Sequence, residues 1–301
     1  MNTLLNARTV DTASIARLAR DVLGVFKLRI GFMIMITALV GLAITPGPAP
    51  GVFEVLVLAF AVLVASASAG AFNQYYERDG DRLMPRTRGR PFVTGALPYS
   101  PCWLLLIAAL LVVAVSAAAW AVNPVSAGCV FLGAFFYGVV YTVWLKHRSW
   151  LNIVVGGLAG SFAVLAGAAA VDPALGPPGL LLALVLFLWT PPHFWSLAIA
   201  NHEEYAAAGI PMLPVVVGTA RAARIVLWST LALALAALLP GSFGAGPVYM
   251  AGALAGGGYF TYKAWLLAQT PSRKTAMGAF FASLVQLSVL LGAATVDSFL
   301  R

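Results

Sequence analysis

Apolar runs of roughly 20 residues recur along the chain, separated by short breaks. Nine can be marked, at about 28–46, 52–72, 101–122, 125–145, 151–171, 178–200, 222–240, 246–266 and 277–297. Each is long enough to cross a hydrocarbon core about 30 Å thick as a helix. The pattern predicts an all-α polytopic membrane protein, a bundle of nine transmembrane helices in a single unit over 1–301. The first 26 residues carry charges and no sustained apolar core, so they do not read as a cleaved leader. A short amphipathic surface helix over 12–25 fits them better.

The breaks alternate in character. "TPGPAPG", "AVNPVSAG", "DPALGPPG" and "PGSFGAGP" are rich in Pro and Gly and hold no Lys or Arg. The others hold nearly all the basic charge. With nine spans, every one of the 18 Lys and Arg except Arg301 falls on one side. The positive-inside rule then places the N-terminus and the charged loops in the cytoplasm and the C-terminus outside. Composition agrees: the chain is 61% hydrophobic and 9% charged, with mean hydropathy +0.92. The net charge of +8 reads as a membrane-orientation signal and argues against a nucleic-acid partner, since no basic domain stands outside the bilayer. Stretches such as "GGLAGSFAVLAGAAA" let helix backbones approach closely. Cys102 and Cys129 both fall in apolar runs and read as small buried residues.

Against this background "NQYYERDGDRLMPRTRGRP", residues 73–91, stands out. If the second span continues as a helix, Asn73, Glu77 and Asp81 lie at i, i+4 and i+8 on one face. Carboxylates at this spacing, with an amide oxygen one turn back, are hard oxygen ligands suited to Mg²⁺. The neighbouring arginines are phosphate donors. A solvated loop of mutually neutralising charges is the competing reading. Its weakness is that the acids begin inside the end of an apolar run, where charge is costly unless it lines a cavity.

A second polar cluster follows the sixth span, in "WTPPHFWSLAI" and "EEYAAAGIPMLPVV". Pro191 and Pro192 are expected to kink or interrupt that helix. His193 follows, in either of two roles: a substrate-facing group or a bond to a neighbouring helix. His147 and His202 are expected in solvent. Glu203 and Glu204 emerge at the same membrane face as the first cluster.

The first cluster, "YTVWLKHRSWLNIVVGGLAG" and the two stretches of the second cluster together resemble the signature segments of the haem O synthases, the protohaem IX farnesyltransferases of the UbiA-type superfamily of intramembrane prenyltransferases. The resemblance covers about residues 25–295. It implies a helical bundle around a central cavity, capped on the cytoplasmic side, in a bacterial-type inner membrane. It implies Mg²⁺ as cofactor, farnesyl diphosphate and haem B as substrates, haem O as product, and a downstream haem A synthase or terminal oxidase.

Carried over residue by residue, Asn73 and Asp81 match the first motif, and Glu77 stands where the superfamily has Asp. In the second motif Asn201 and Tyr205 occupy the two acidic places, while the acids are displaced to Glu203 and Glu204. The catalytic and metal-binding set is then Asn73, Glu77 and Asp81. Arg78, Arg82, Arg90 and Lys146 form the diphosphate donor pool. Tyr141, with Tyr76 and Trp144, is a candidate for cation–π contact with the farnesyl cation or a member of the interfacial aromatic belt. Asn152, His193, Glu203 and Glu204 complete the substrate-binding set, with His193 toward haem. Quinone prenylation by another superfamily member and a transporter role are the alternatives. A transporter's polar site should lie near the bilayer midplane, whereas both clusters here lie at one face.

Overall fold

The structure, a computed structural model, describes residues 12–300. Residues 1–11, part of the charged N-terminal segment read above, and Arg301 lie outside the described residues.

The described residues form helices and no strands. In order they are α1 (Thr12–Val25), α2 (Leu28–Ile44), α3 (Val52–Tyr76), α4 (Arg78–Arg82), α5 (Pro91–Thr94), α6 (Cys102–Ala121) and α7 (Pro124–Phe135). A π-helix, Phe136–Leu145, continues α7. Then come α8 (Asn152–Gly156), α9 (Leu158–Val171), α10 (Pro177–Ala200), α11 (His202–Ala207), α12 (Leu213–Val217), α13 (Thr219–Ala236), α14 (Pro247–Gln269) and α15 (Arg273–Phe299).

Seven helical segments are long and apolar enough to cross a membrane, or eight if α1 and α2, bent by 45° at their junction, count as one broken span. This is fewer than the nine apolar runs. At 17 residues, α2 is short by itself. Helix α14 has the length, at 23 residues, but Gly256–Gly258, its tyrosines and Lys263 dilute its apolarity. α1 occupies the stretch where a surface helix is expected, with exposed side chains from Ile15 to Arg20.

Helices α2, α3, α6, α7, α9, α10, α13, α14 and α15 each pack on the next in chain order, and α15 returns to α2. α2 also packs on α9, and α10 on α15, and the buried apolar side chains form three clusters, the smallest around Tyr75 and Phe92. In lipid the apolar effect does not draw helices together, so close approach and packing must do so. The α2–α9 contact shows how: a Cβ at Gly167 would overlap the carbonyl of Ala38, and one at Gly41 would overlap that of Val164. Large apolar side chains such as Phe60, Leu105, Trp120, Trp228 and Leu235 face outward. A soluble protein would not expose them in such number.

Two expectations change. α10 runs unbroken through Pro191 and Pro192. Local side chains bond the carbonyls around the pair, Thr190 Oγ1 to Leu186 O at 2.9 Å and Ser196 Oγ to Pro192 O at 2.7 Å. Cys129 is buried as expected, but Cys102 is exposed because it opens α6 on its outer surface.

Candidate functional site

α3 stops at Tyr76, yet the helical bonding pattern carries across the break. Glu77 N–H donates to Asn73 O at 3.0 Å, and Asp81 N–H donates to Glu77 O at 2.8 Å. Asn73, Glu77 and Asp81 therefore keep one face, and they are 4%, 3% and 2% exposed. Asp79 points the other way, where Arg82 pairs with it at 3.4 Å in solvent.

Three buried acceptors meet four cationic or imidazole groups. Lys146 Nζ lies 2.7 Å from Glu77 Oε2, and His147 Nε2 lies 3.0 Å from the same oxygen. Arg90 is paired with Asp81. Lys27 Nζ donates to Asn73 Oδ1 at 2.6 Å. Burial works against charge on Glu77, but the bond from His147 and the ammonium of Lys146 outweigh it and hold the carboxyl below its ordinary value. Gly80 makes room for this arrangement, since a Cβ there would sit 3.3 Å from Glu77 Oε2 and 3.7 Å from the His147 ring.

The π-helix builds the opposite wall. Its wider winding is seen where Lys146 N–H reaches back five residues to Tyr141 O, at 2.9 Å. Thr142 Oγ1 donates to Tyr137 O at 2.8 Å and accepts from Asn73 Nδ2 at 3.1 Å. Tyr137 and Tyr141 stack at 5.6 Å, and the Tyr137 hydroxyl lies 3.4 Å from Lys27 Nζ. Gly156 admits the Tyr141 ring, which would be 2.9 Å from a Cβ there. Asn152, fully buried, donates from Nδ2 to Lys146 O at 3.1 Å. Its Oδ1 has no hydrogen-bond partner among the described residues.

The second cluster meets the first through a phenol rather than a carboxylate. Arg86 donates to the hydroxyl of Tyr205 at 3.2 Å. Burial pushes the Tyr205 phenol up from its ordinary pKa, with the Arg86 charge acting in the opposite direction. Thr87 Oγ1 donates to Asp81 O at 2.9 Å, so the arginine loop is tied to the acidic face as well. Asn201 turns its amide back onto Leu197 O, at 2.9 Å. Glu203 is exposed. Glu204 buries Oε2 without a hydrogen-bond partner among the described residues.

His193 sits deeper, on α10, and is 6% exposed. Its Nδ1 lies 2.6 Å from Ser283 Oγ on α15. Its ring is stacked between Trp189, at 4.1 Å, and Phe280, at 4.6 Å.

Of the residues singled out in the sequence, Asn73, Glu77, Asp81, Arg90, Lys146, Tyr141 and Asn152 come together. Arg82 turns to Asp79. Arg78 lies over the Tyr99 ring at 4.6 Å, within an aromatic group beside α5. Tyr76 and Trp144 are exposed. His147 is exposed as expected, but it also bonds Glu77. Lys27, Arg86, Tyr137, Thr142 and Tyr205 are the additions. Tyr205 was visible as the residue standing at an acidic place of the second motif. Lys27 carried no local signal and reads from sequence as one more basic residue of the N-terminal segment. Among the described residues no group of three or more His, Cys, Asp and Glu forms a metal site.

Comparison with known proteins adds a second line of observation. The family profile described as "UbiA prenyltransferase family" matches residues 34–285. The chain is 57% identical over 276 residues to protoheme IX farnesyltransferase 2 of Paramagnetospirillum magneticum, covering 92% of this chain and 96% of the relative. It is 45% identical to protoheme IX farnesyltransferase 1 of the same organism, covering 92% and 98%. Among solved structures, a digeranylgeranylglyceryl phosphate synthase matches with TM-score 0.79 at 17% identity, covering 94% of this chain and 99% of that one. A UbiA homologue from Archaeoglobus fulgidus, bound to DMAPP and Mg²⁺, matches with TM-score 0.65 at 16% identity, covering 92% and 99%. At these identities the structural likeness speaks for the fold.

Proposed function

Because the chain belongs to the UbiA prenyltransferase family, we propose that it transfers the farnesyl group of farnesyl diphosphate to a vinyl group of protohaem IX, with addition of water, giving haem O and diphosphate. The relatives named protoheme IX farnesyltransferase support the substrate pair. The observation that carries the chemistry is the buried face of Asn73, Glu77 and Asp81 ringed by Lys27, Arg90 and Lys146.

Mg²⁺ fits this donor set. It prefers one or two carboxylates and completes its shell with substrate phosphate oxygens, so it needs no all-protein cage. Asn73, Glu77 and Asp81 would hold it, and when bound it supplies neutralisation of the leaving diphosphate. The chain's own cations share that work. Arg90 and Lys146 already neutralise Asp81 and Glu77 and Lys27 donates to the Asn73 amide, and all three can turn to phosphate oxygens as charge develops there. Arg86, held by Tyr205, stands beside them as a further donor.

The bond from farnesyl C1 to diphosphate oxygen breaks, and the vinyl carbon bonds to C1. Water then adds to the remaining cation and a proton leaves. The stacked Tyr137 and Tyr141 rings offer π faces to the allylic cation. The buried setting keeps bulk water from capturing it early. Asn152, fully buried and with its free acceptor, orients a substrate group inside the site, Glu204 does so nearer the rim, and Glu203 is the outer member of that set. His193 meets the haem.

The protein is an integral membrane protein of multiple apolar helices. Its nine apolar runs act as nine spans of one unit, with N-terminus and site facing the cytoplasm of a bacterial-type inner membrane. The one-sided distribution of Lys and Arg supports that orientation. Haem O would pass to a haem A synthase or a terminal oxidase.

The test is a competition assay with purified protein, labelled farnesyl diphosphate, and haem B against 4-hydroxybenzoate. Label should enter haem alone. Label in the benzoate instead would assign the protein to quinone prenylation.

A further inference from the structure

The contacts around His193 specify which of its ring nitrogens carries the proton. Ser283 Oγ lies 2.6 Å from His193 Nδ1 and 2.6 Å from the carbonyl oxygen of Phe280. A serine hydroxyl has one proton, and a carbonyl oxygen can only accept. The Ser283 proton therefore goes to Phe280 O, and Oγ is left to accept from Nδ1–H. In the neutral imidazole this makes Nε2 the unprotonated nitrogen. No hydrogen bond to Nε2 is formed among the described residues.

The rest of the surroundings hold this arrangement still. Ser283 is fully buried. Trp189, one turn before His193 on α10, donates its indole N–H to Ser283 O at 2.9 Å. α10 therefore grips Ser283 at both side chain and backbone. The rings of Trp189 and Phe280 lie nearly parallel to the imidazole on its two sides, at 19° and 26°, and Phe194 meets it edge-on at 4.9 Å. The ring can neither flip nor tilt without breaking a stack or losing Ser283.

We infer that Ser283 is a positioning residue that holds His193 as the Nδ1–H tautomer and presents the Nε2 lone pair to the iron of the haem substrate. The inference rests on the reading that His193 meets haem. Imidazole binds iron through an unprotonated nitrogen, and the hydrogen bond made by its other nitrogen fixes tautomer, orientation and basicity. The serine-to-carbonyl bond plays that supporting part. Its effect is to fix how far and at what angle the macrocycle sits from α10, and so which edge faces the farnesyl carbon.

The experiment is a titration of haem B into the purified full-length protein without isoprenoid, read by the Soret and visible bands. The wild type should give the spectrum of a histidine-ligated haem, and His193→Ala should lose it. Ser283→Ala should bind haem about 10- to 100-fold more weakly with a mixed spectrum, and Ser283→Thr should restore the wild-type spectrum. Unchanged haem binding and spectrum in Ser283→Ala, with ligation lost in His193→Ala, would overturn the role of Ser283 alone. An unchanged spectrum in His193→Ala would overturn the reading beneath it. Should Ser283→Ala fail to fold, ¹⁵N-histidine NMR of the wild-type protein decides. Protonated Nδ1 with bare Nε2 is the result expected, and the opposite tautomer would overturn the inference.

Discussion

Arg86 donates a hydrogen bond to the phenol of Tyr205 at 3.2 Å, and this bond joins segments 119 residues apart in the chain. It brings the arginine loop that follows the acidic face against the helix that follows α10. Tyr205 occupies a place where the resemblance has an acid, and here a phenol and a guanidinium join the two segments.

Tyr205→Phe removes only the hydroxyl. A hydrogen bond to a charged group contributes about 1.5–3 kcal/mol when buried, and the exposure of Arg86 argues for the low end. The variant should fold normally and raise the KM for farnesyl diphosphate about 5- to 10-fold, with kcat less affected. Steady-state kinetics with haem held saturating would check this, and an unchanged KM would count against the loop junction.

Glu77 accepts from both Lys146 and His147. Glu77→Gln keeps the shape and removes the charge, leaving a buried ammonium without its partner. Turnover should fall at least about 100-fold, and excess Mg²⁺ should not rescue it. Chelation should abolish wild-type activity and added Mg²⁺ restore it. Full activity after exhaustive chelation would remove the metal from the account.

Lys27 reaches Asn73 from the bend between α1 and α2, where its backbone takes φ 49° and ψ 42°. Lys27→Met should lower kcat/KM by about 100-fold, at the low end of the scale of losing one charge-stabilising donor. Lys27→Arg should recover part of the loss. Equal activity in wild type and Lys27→Met would return Lys27 to the role of a membrane-orienting charge.

Two glycines on α9 should part ways. Gly167→Ala drives a methyl into the Ala38 carbonyl, whereas Gly160 has nothing within 4 Å of an added Cβ. Overpacking of a tight contact costs about 1–3 kcal/mol or more. Thermal unfolding in detergent should show a lowered midpoint for Gly167→Ala and a near-native one for Gly160→Ala.

The all-helical membrane architecture was legible because lipid imposes it: long apolar runs must be helices, although only seven or eight of the nine runs became helices long and apolar enough to span. The first acidic face was legible for the same reason, since Asn73, Glu77 and Asp81 keep helical spacing at the end of an apolar run. What surrounds them was less so. Asp81 finds its partner Arg90 within the same loop, but the partners of the other two come from elsewhere in the chain: Lys27 sits 46 residues before Asn73, and Lys146 sits 69 residues after Glu77. No local spacing announces such pairs. The π-helix of Phe136–Leu145 shifts every later side chain relative to an α-helix, and its apolar pattern carries no sign of the change. Arg82 misled for a simpler reason. It lies one residue from Asp81, which puts it on the other side of the turn, where Asp79 takes it. His193 stood out by its rarity in an apolar run, whereas Ser283 is one of many small polar residues in such runs and gains meaning only from what it touches.

The most direct measurement is the mass of the haem extracted from membranes of cells that make this protein and are supplied with haem B. The wild type should yield haem heavier by one farnesyl group and one water, and Asp81→Asn should yield unmodified haem. Unmodified haem from a well-folded wild type, or equal product from Asp81→Asn, would contradict the assignment of farnesyl transfer to this buried carboxylate face.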